Sequence, residues 1–168
     1  MDSFFNAQFN YCSRVWMLHS RCNNNKIKHL HERCLRLTYC DKTSSYEELL
    51  EKDGSVSIHH RNIQSLAIEM YKVKNELAPT ITANLFSTMP ENHYNLRNYS
   101  DFRIPFARTV YHGTESISYL GPKIWDIVPI EFKSLESLNS FKKFIRKWTP
   151  NNCPCRLCKR YLDGVGFL

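Results

Sequence analysis

The chain is expected to be mainly α, with helical regions on either side of one short β hairpin or edge strand. Three observations predict this. Apolar residues recur at three- and four-residue spacing in separate windows: Ile27, Leu30, Cys34 and Leu37; Ile63, Leu66, Ala67 and Met70; Phe141, Phe144, Ile145 and Trp148. Serine, glycine and proline punctuate those windows at the places where helices start and stop. The run 102–112, FRIPFARTVYH, is rich in β-formers but interrupted by Pro105, which suits an edge strand or an irregular hairpin.

Taken in order, residues 2–20 predict helix, from the spacing Phe5, Phe9, Cys12 and Trp16. Asn23, Asn24 and Asn25 are N-cap candidates for the next helix, whose apolar stripe is Ile27, Leu30, Cys34 and Leu37. Ser44-x-x-Glu47 reads as a capping box, with Leu49 and Leu50 as apolar contacts and Asp53-Gly54 as the stop. Ser57 caps the longest helix, in which Ile63, Leu66, Ala67, Met70 and Leu77 share a face that should pack on the Ile27 stripe. Pro79 stops it. Ile58 and Ile68 lie off that face, so this helix should have neighbours on more than one side. His59 and His60 read as core or capping histidines, with phosphate or metal contact as the alternative. Pro90, Asn92, Asn95, Asn98 and Asp101 make 89–101 the best linker. Ser116–Asp126 predicts helix with a Gly121-Pro122 kink, ended by Pro129. Ser137 begins the last helix, with Phe141, Phe144, Ile145 and Trp148 on one side and Lys142, Lys143, Arg146 and Lys147 on the other. The expected layout is a helical region 1–88, a linker 89–101, a module 102–150 ending in the basic helix, and a cysteine-containing tail 151–168.

Net charge is +7, from 23 Lys+Arg less 16 Asp+Glu. It is unevenly spread. Residues 1–40 and 137–168 are basic, whereas 41–55 carry Asp41, Glu47, Glu48, Glu51 and Asp53 against two lysines. Two basic regions suit a polyanion such as nucleic acid; the plain alternative is a solvated surface. Candidate phosphate contacts are Lys26, Lys28, Arg33 and Arg36 on one helix and Lys142, Lys143, Arg146 and Lys147 on the other. A hydrophobic content of 42% with 13% aromatics excludes wholesale disorder. No apolar run approaches the roughly 20 residues of a membrane span. No signal peptide is visible, so no membrane partner and a cytoplasmic or nuclear location are expected.

Catalysis has little support. Glu47, Glu48 and Glu51 read as a solvated face, no glycine-rich phosphate loop exists, and no nucleophile motif frames the serines or histidines. Trp16, Trp125 and Trp148 read as core anchors, with base stacking the lesser alternative. Seven cysteines form an odd set without a secretory signal, which argues against a disulfide framework. Cys153, Cys155 and Cys158 crowd together at a spacing that suits zinc, but a structural site needs a fourth ligand. Cys12, Cys22, Cys34, Cys40, His93 and His112 are the candidates, Cys40 and His112 first. Zinc, an unliganded tail, and redox or coupling chemistry with another chain all stay open; no other cofactor is expected.

The block SSYEELLEKDGSVSIHHRNIQSLAIEMYKVK (44–74) closely resembles a segment downstream of the polymerase core in reverse transcriptases of non-LTR retrotransposons, LINE-like and Jockey-type. FFNAQFNYCSRVWMLHSR and NNKIKHLHERCLRLTY before it, and SISYLGPKIWDIVP, SLNSFKKFIRKW and CPCRLCKRY after it, match in the same order, covering nearly the whole chain. Ser13-Arg14 stands where that family tends to carry Pro-Leu. The match is under way at Phe4, so the reading frame of the parent is expected to extend upstream of Met1. The resemblance implies a thumb-like helical bundle over 1–88, nucleic acid and the upstream polymerase domain as partners, and a parent RNA-directed DNA polymerase. The family's Tyr-x-Asp-Asp aspartates belong upstream, and no Asp-Asp pair occurs here. The chain is thus expected to be a transposable-element fragment that holds nucleic acid without polymerising. The alternatives are a degenerate element product, a protein-interaction scaffold with no activity, or a zinc-dependent adaptor.

Overall fold

The computed structural model describes residues 5–17, 21–89, 100–109, 113 and 116–150. Its architecture is mainly helical with a small two-stranded antiparallel sheet. By internal packing the chain divides into Met1–Ile63 and Gln64–Leu168. Of the expected 89–101 linker, residues 90–99 lie outside the described residues. The division falls within one helix whose apolar period runs through it unbroken, so nothing in the sequence marks it.

In the first unit, the expected single helix over 2–20 is two short ones, α1 (Phe5–Asn10) and α2 (Ser13–Trp16). Cys12 between them adopts a left-handed conformation at φ 46°, which interrupts the helix. The Trp16 indole N–H donates to the Tyr11 carbonyl at 2.7 Å across that turn. Helix α3 (Arg21–Tyr39) begins before the three asparagines, so Asn23–Asn25 lie inside it rather than cap it. With 19 residues it is longer than the 17-residue helix that was expected to be longest.

The buried side of α3 is also rotated from the expected stripe. Leu30 is 52% and Leu37 75% exposed, whereas His31 is 3% and Leu35 6% exposed. Ile27 and Cys34 sit at the edge, partly buried. Hydrophobicity alone points to the leucines; the rotation occurs because His31 finds a partner inside. Its Nδ1 lies 2.9 Å from the Tyr46 hydroxyl, which the Ile58 amide also bonds. The donor and acceptor roles in that pair follow from which imidazole nitrogen carries the proton. The Phe9 ring meets His31 edge-on, with centroids 5.3 Å apart.

Helix α4 (Tyr46–Asp53) packs on α3 through Leu35, Tyr46 and Leu49. Its capping box is Ser45 and Glu48, one residue beyond the expected pair. The Ser45 hydroxyl accepts from the Glu48 N–H at 3.3 Å, and the Glu48 carboxylate accepts from the Ser45 N–H at 2.9 Å. Ser44 is unavailable because Asp41 holds it: that carboxylate accepts from the Ser44 N–H at 3.0 Å and hydroxyl at 2.6 Å, and pairs with Lys52. These contacts hold the Asp41 carboxyl well below its usual range. Gly54 ends α4 at φ 65°, as Asp53-Gly54 predicts.

The His31 geometry sets a pH dependence. Burial, with help from the Arg61 charge and against the pull of Asp53, lowers its pKa from 6.5 to about 4. An unfolded imidazole takes up a proton below about 6.5, and the folded one resists until about 4. Stability is therefore full above pH 6.5 and declines as pH falls toward 4, by about 1–2 kcal/mol after allowing for solvent screening. Urea midpoints should fall between pH 7 and 5. The decline should shrink in His31→Gln, whose amide cannot titrate in that range. An equal decline in both proteins would assign it to other groups.

Helix α5 (Ile58–Lys74) starts as predicted, with the Ser57 hydroxyl accepting from the His60 N–H at 3.3 Å. Ile63, Leu66, Ala67 and Met70 are fully buried. Ile58, Asn62, Gln64, Glu69, Tyr71 and Val73 are also buried, so this helix is enclosed on several sides. It stops at Lys74 rather than at Pro79, and Leu77 is exposed beyond it. Pro79 instead opens the short α6 (Thr80–Ala83), using its fixed φ at a helix start.

In the second unit, β1 (Ser87–Thr88) pairs with β2 (Phe102–Arg103), Ser87 opposite Arg103 and Thr88 opposite Phe102. The Met89 N–H extends the ladder to the Asp101 carbonyl at 3.0 Å. Among the described residues of the run 102–112, Phe102–Arg103 is strand, and its partner comes from before the polar segment. Helix α7 (Ile117–Ile127) carries Pro122 inside it, followed by α8 (Ile130–Lys133) and α9 (Leu138–Ile145). The core is aromatic: Tyr71 stacks on Phe141 at 4.3 Å, and Trp125 meets Phe102 edge-on at 6.1 Å.

Gly121 is required by close approach. A Cβ there would stand 2.7 Å from Phe86 Cε1 and 2.8 Å from Met70 Sδ, both on buried side chains. Alanine gains about 1 kcal/mol of helix propensity over glycine, but overpacking a filled core costs about 1–3 kcal/mol. Gly121→Ala should therefore destabilise on balance, seen as a lower melting temperature. A raised one would mean that the Met70 and Phe86 side chains yield freely.

Candidate nucleic-acid interface

The first basic cluster sits on α3, and the second spans the C-terminal end of α9 and the turn that follows it. On α3, Lys26, Lys28 and Arg33 are exposed. Lys28 stands 4.9 Å over the Tyr46 ring and 3.9 Å from Glu47, an exposed pair of little energetic weight. Arg36 is more committed. Its guanidinium donates to Glu32 at 2.7 and 3.3 Å and to the Lys42 carbonyl at 2.7 Å. That hydrogen bond, working against the burial penalty, holds the Glu32 carboxyl below its usual range. Arg36 thus contributes little net charge outward, and Lys26, Lys28 and Arg33 carry the basic character of α3.

In the last turn of α9, Lys142 is half-buried and Lys143 exposed, and Arg146 at the C-cap and Lys147 just past it are exposed. None of these four pairs with a carboxylate among the described residues, and no acidic residue occurs in 138–150. Phe141 and Ile145 are fully buried and fix the helix rotation. The chain then tightens: Lys147 N–H bonds the Phe144 carbonyl at 3.0 Å, and Trp148 N–H the Ile145 carbonyl at 3.1 Å. The buried Gln64 amide donates to the Arg146 carbonyl at 3.2 Å and the Trp148 carbonyl at 2.8 Å, pinning this turn. Cations at a helix C-terminus also offset the negative end of its dipole, which is a structural role independent of any ligand.

Phe144 departs from expectation. It was placed with the buried side of α9 but is 47% exposed, stacked on Phe132 of α8 with centroids 5.6 Å apart at 24°. Helical periodicity placed it one step from the buried face, and only knowledge of the α8 turn reveals its outward ring. Trp125 is fully buried, whereas Trp16 and Trp148 are partly so. His60 meets the Ser57 hydroxyl at 3.2 Å, a capping contact; His59 and His60 are both partly buried.

Cys153, Cys155 and Cys158 lie outside the described residues, as do His93 and His112. Among the described residues no group of three or more His, Cys, Asp or Glu is placed to hold a metal. Cys40 is exposed just past α3, its thiol 3.8 Å from the Leu37 carbonyl. No described helix is long and apolar enough to cross a membrane. No protein-family model, curated protein or solved structure matches the chain.

Proposed function

We propose that this chain is the part of a non-LTR retrotransposon reverse transcriptase lying downstream of the polymerase core. In this reading it holds template–primer or target nucleic acid by its phosphates and does not itself polymerise. Residues 1–88 correspond to the thumb-like region and act beside the upstream polymerase domain, in cytoplasm or nucleus. The observation that carries the binding function is the cation set Lys142, Lys143, Arg146 and Lys147 at the C-terminal end of α9 and just past it, with no acidic residue in 138–150. Such contacts give affinity without sequence readout. The assignment of a polymerase parent rests on the sequence resemblance; the reading that this chain does not polymerise rests on the missing Asp-Asp pair. The test is binding of duplex DNA and RNA–DNA hybrid across a salt series. Affinity falling steeply with salt supports the reading, because each neutralised phosphate releases counterion. Absence of binding at low salt would refute it.

A further inference from the structure

We propose that the Phe132–Phe144 pair is a stacking platform for an unpaired base, so that the α8–α9 edge prefers single-stranded nucleic acid to duplex. This deepens the proposed function and rests on it. Two parallel-leaning rings 5.6 Å apart, one of them half-exposed, present an aromatic surface rather than a packed core contact. Basic residues flank Phe144 in sequence. Lys143 adjoins Phe144 in sequence. Lys147 follows it by three residues through a tight turn whose N–H bonds the Phe144 carbonyl, a spacing that eclipses side chains. Ile130, 79% exposed at the start of α8, adds apolar surface on the same short helix as Phe132.

A base has a flat π-face and a phosphate on either side; an exposed aromatic ring flanked in sequence by lysines offers a partner for both. A duplex offers only the phosphates, since its bases are stacked on each other. An anionic membrane is the competing polyanion. It is less suited, because the apolar side chains that a surface helix would insert, Phe141 and Ile145, are fully buried in the unit.

The platform is also held firmly. Phe141 and Ile145 fix α9 from below, and Gln64 pins the turn that carries Lys147. A pre-set ring loses little freedom on binding, so the stacking term is not offset by ordering.

The test compares the full chain with Phe144→Leu, which keeps apolar contact with Phe132 but removes the aromatic face. A short single-stranded oligonucleotide, its blunt duplex, and vesicles of phosphatidylserine and phosphatidylcholine are the probes, with circular dichroism to verify folding. The expected result is a roughly tenfold loss for the single strand, the scale of one base–aromatic stack, with duplex affinity and both salt slopes unchanged. Single-strand affinity unchanged in Phe144→Leu, with salt-dependent binding intact, would overturn the platform and leave the proposed function standing. Equal losses on strand and duplex would overturn it likewise. Binding of vesicles but of neither nucleic acid would overturn both. If Phe144→Leu fails to fold, Phe144→Tyr replaces it: a retained aromatic face should keep the single-strand preference, and its loss would contradict stacking.

Discussion

Trp125→Ala is expected to destabilise the chain by about 3–5 kcal/mol, the range for truncating a fully buried large aromatic. Two separate losses add there. The ring fills the centre of the second unit, edge-on to Phe102 and 6.1 Å from Phe141. Its indole N–H donates to the Asp101 carboxylate at 2.6 Å, and the same oxygen accepts from Lys74 at 2.9 Å. Burial disfavours the charged Asp101 carboxylate, but those donors outweigh it and its pKa stays below the usual value. Lys74 and Lys133 also stand over the ring at 5.8 and 5.4 Å. Trp125→Phe keeps most of the apolar volume and the cation–ring contacts while deleting the donor. It should cost less, about 1–3 kcal/mol, because the half-buried carboxylate then loses one partner. Denaturant unfolding of both variants checks the order. Equal costs for Ala and Phe would mean that the hydrogen bond, not packing, dominates the site.

That cluster also shows what could be read in advance and what could not. The buried character of Ile63, Leu66, Ala67, Met70, Phe141 and Ile145 follows from helical periodicity, which holds wherever only apolar contact decides orientation. It failed on α3, where a buried hydrogen bond between His31 and Tyr46 outweighs two leucines; pairing at a distance of 15 residues leaves no local pattern. It failed by one residue at the capping box, since Asp41 captures Ser44 from outside the motif. The strand partner of Phe102–Arg103 was illegible for the same reason: Ser87–Thr88 is short, exposed and unremarkable in composition. The helix ends before the expected stop at Pro79, because Asn75 and Glu76 take over, Glu76 at a left-handed φ of 56°. Of the candidate interface, the basic residues themselves were legible from charge. The neutralisation of Arg36 by Glu32 and the outward ring of Phe144 depend on neighbours four residues away and on another helix.

The reading of the chain as a holder of nucleic acid stands or falls on phosphate contact by α9. The most direct measurement is the salt dependence of duplex and hybrid affinity for the full chain and for the combined variant Lys142→Gln, Lys143→Gln, Arg146→Gln and Lys147→Gln. Glutamine removes the charge while keeping a polar, flexible, though shorter, side chain, and the exposed positions carry no core packing. Each phosphate contact contributes about 0.9 to the slope of log affinity against log salt for duplex. Removing all four should flatten the slope by about 3–4 and, at low salt, lower affinity by two to three orders of magnitude or about 3–4 kcal/mol. The same exchange at Lys26, Lys28 and Arg33 measures the share of α3. A flattened slope with an unchanged fold is the predicted result. A parallel slope, with affinity intact in the α9 variant, would contradict the account, because the exposed cations would then be a solvated face and nothing more.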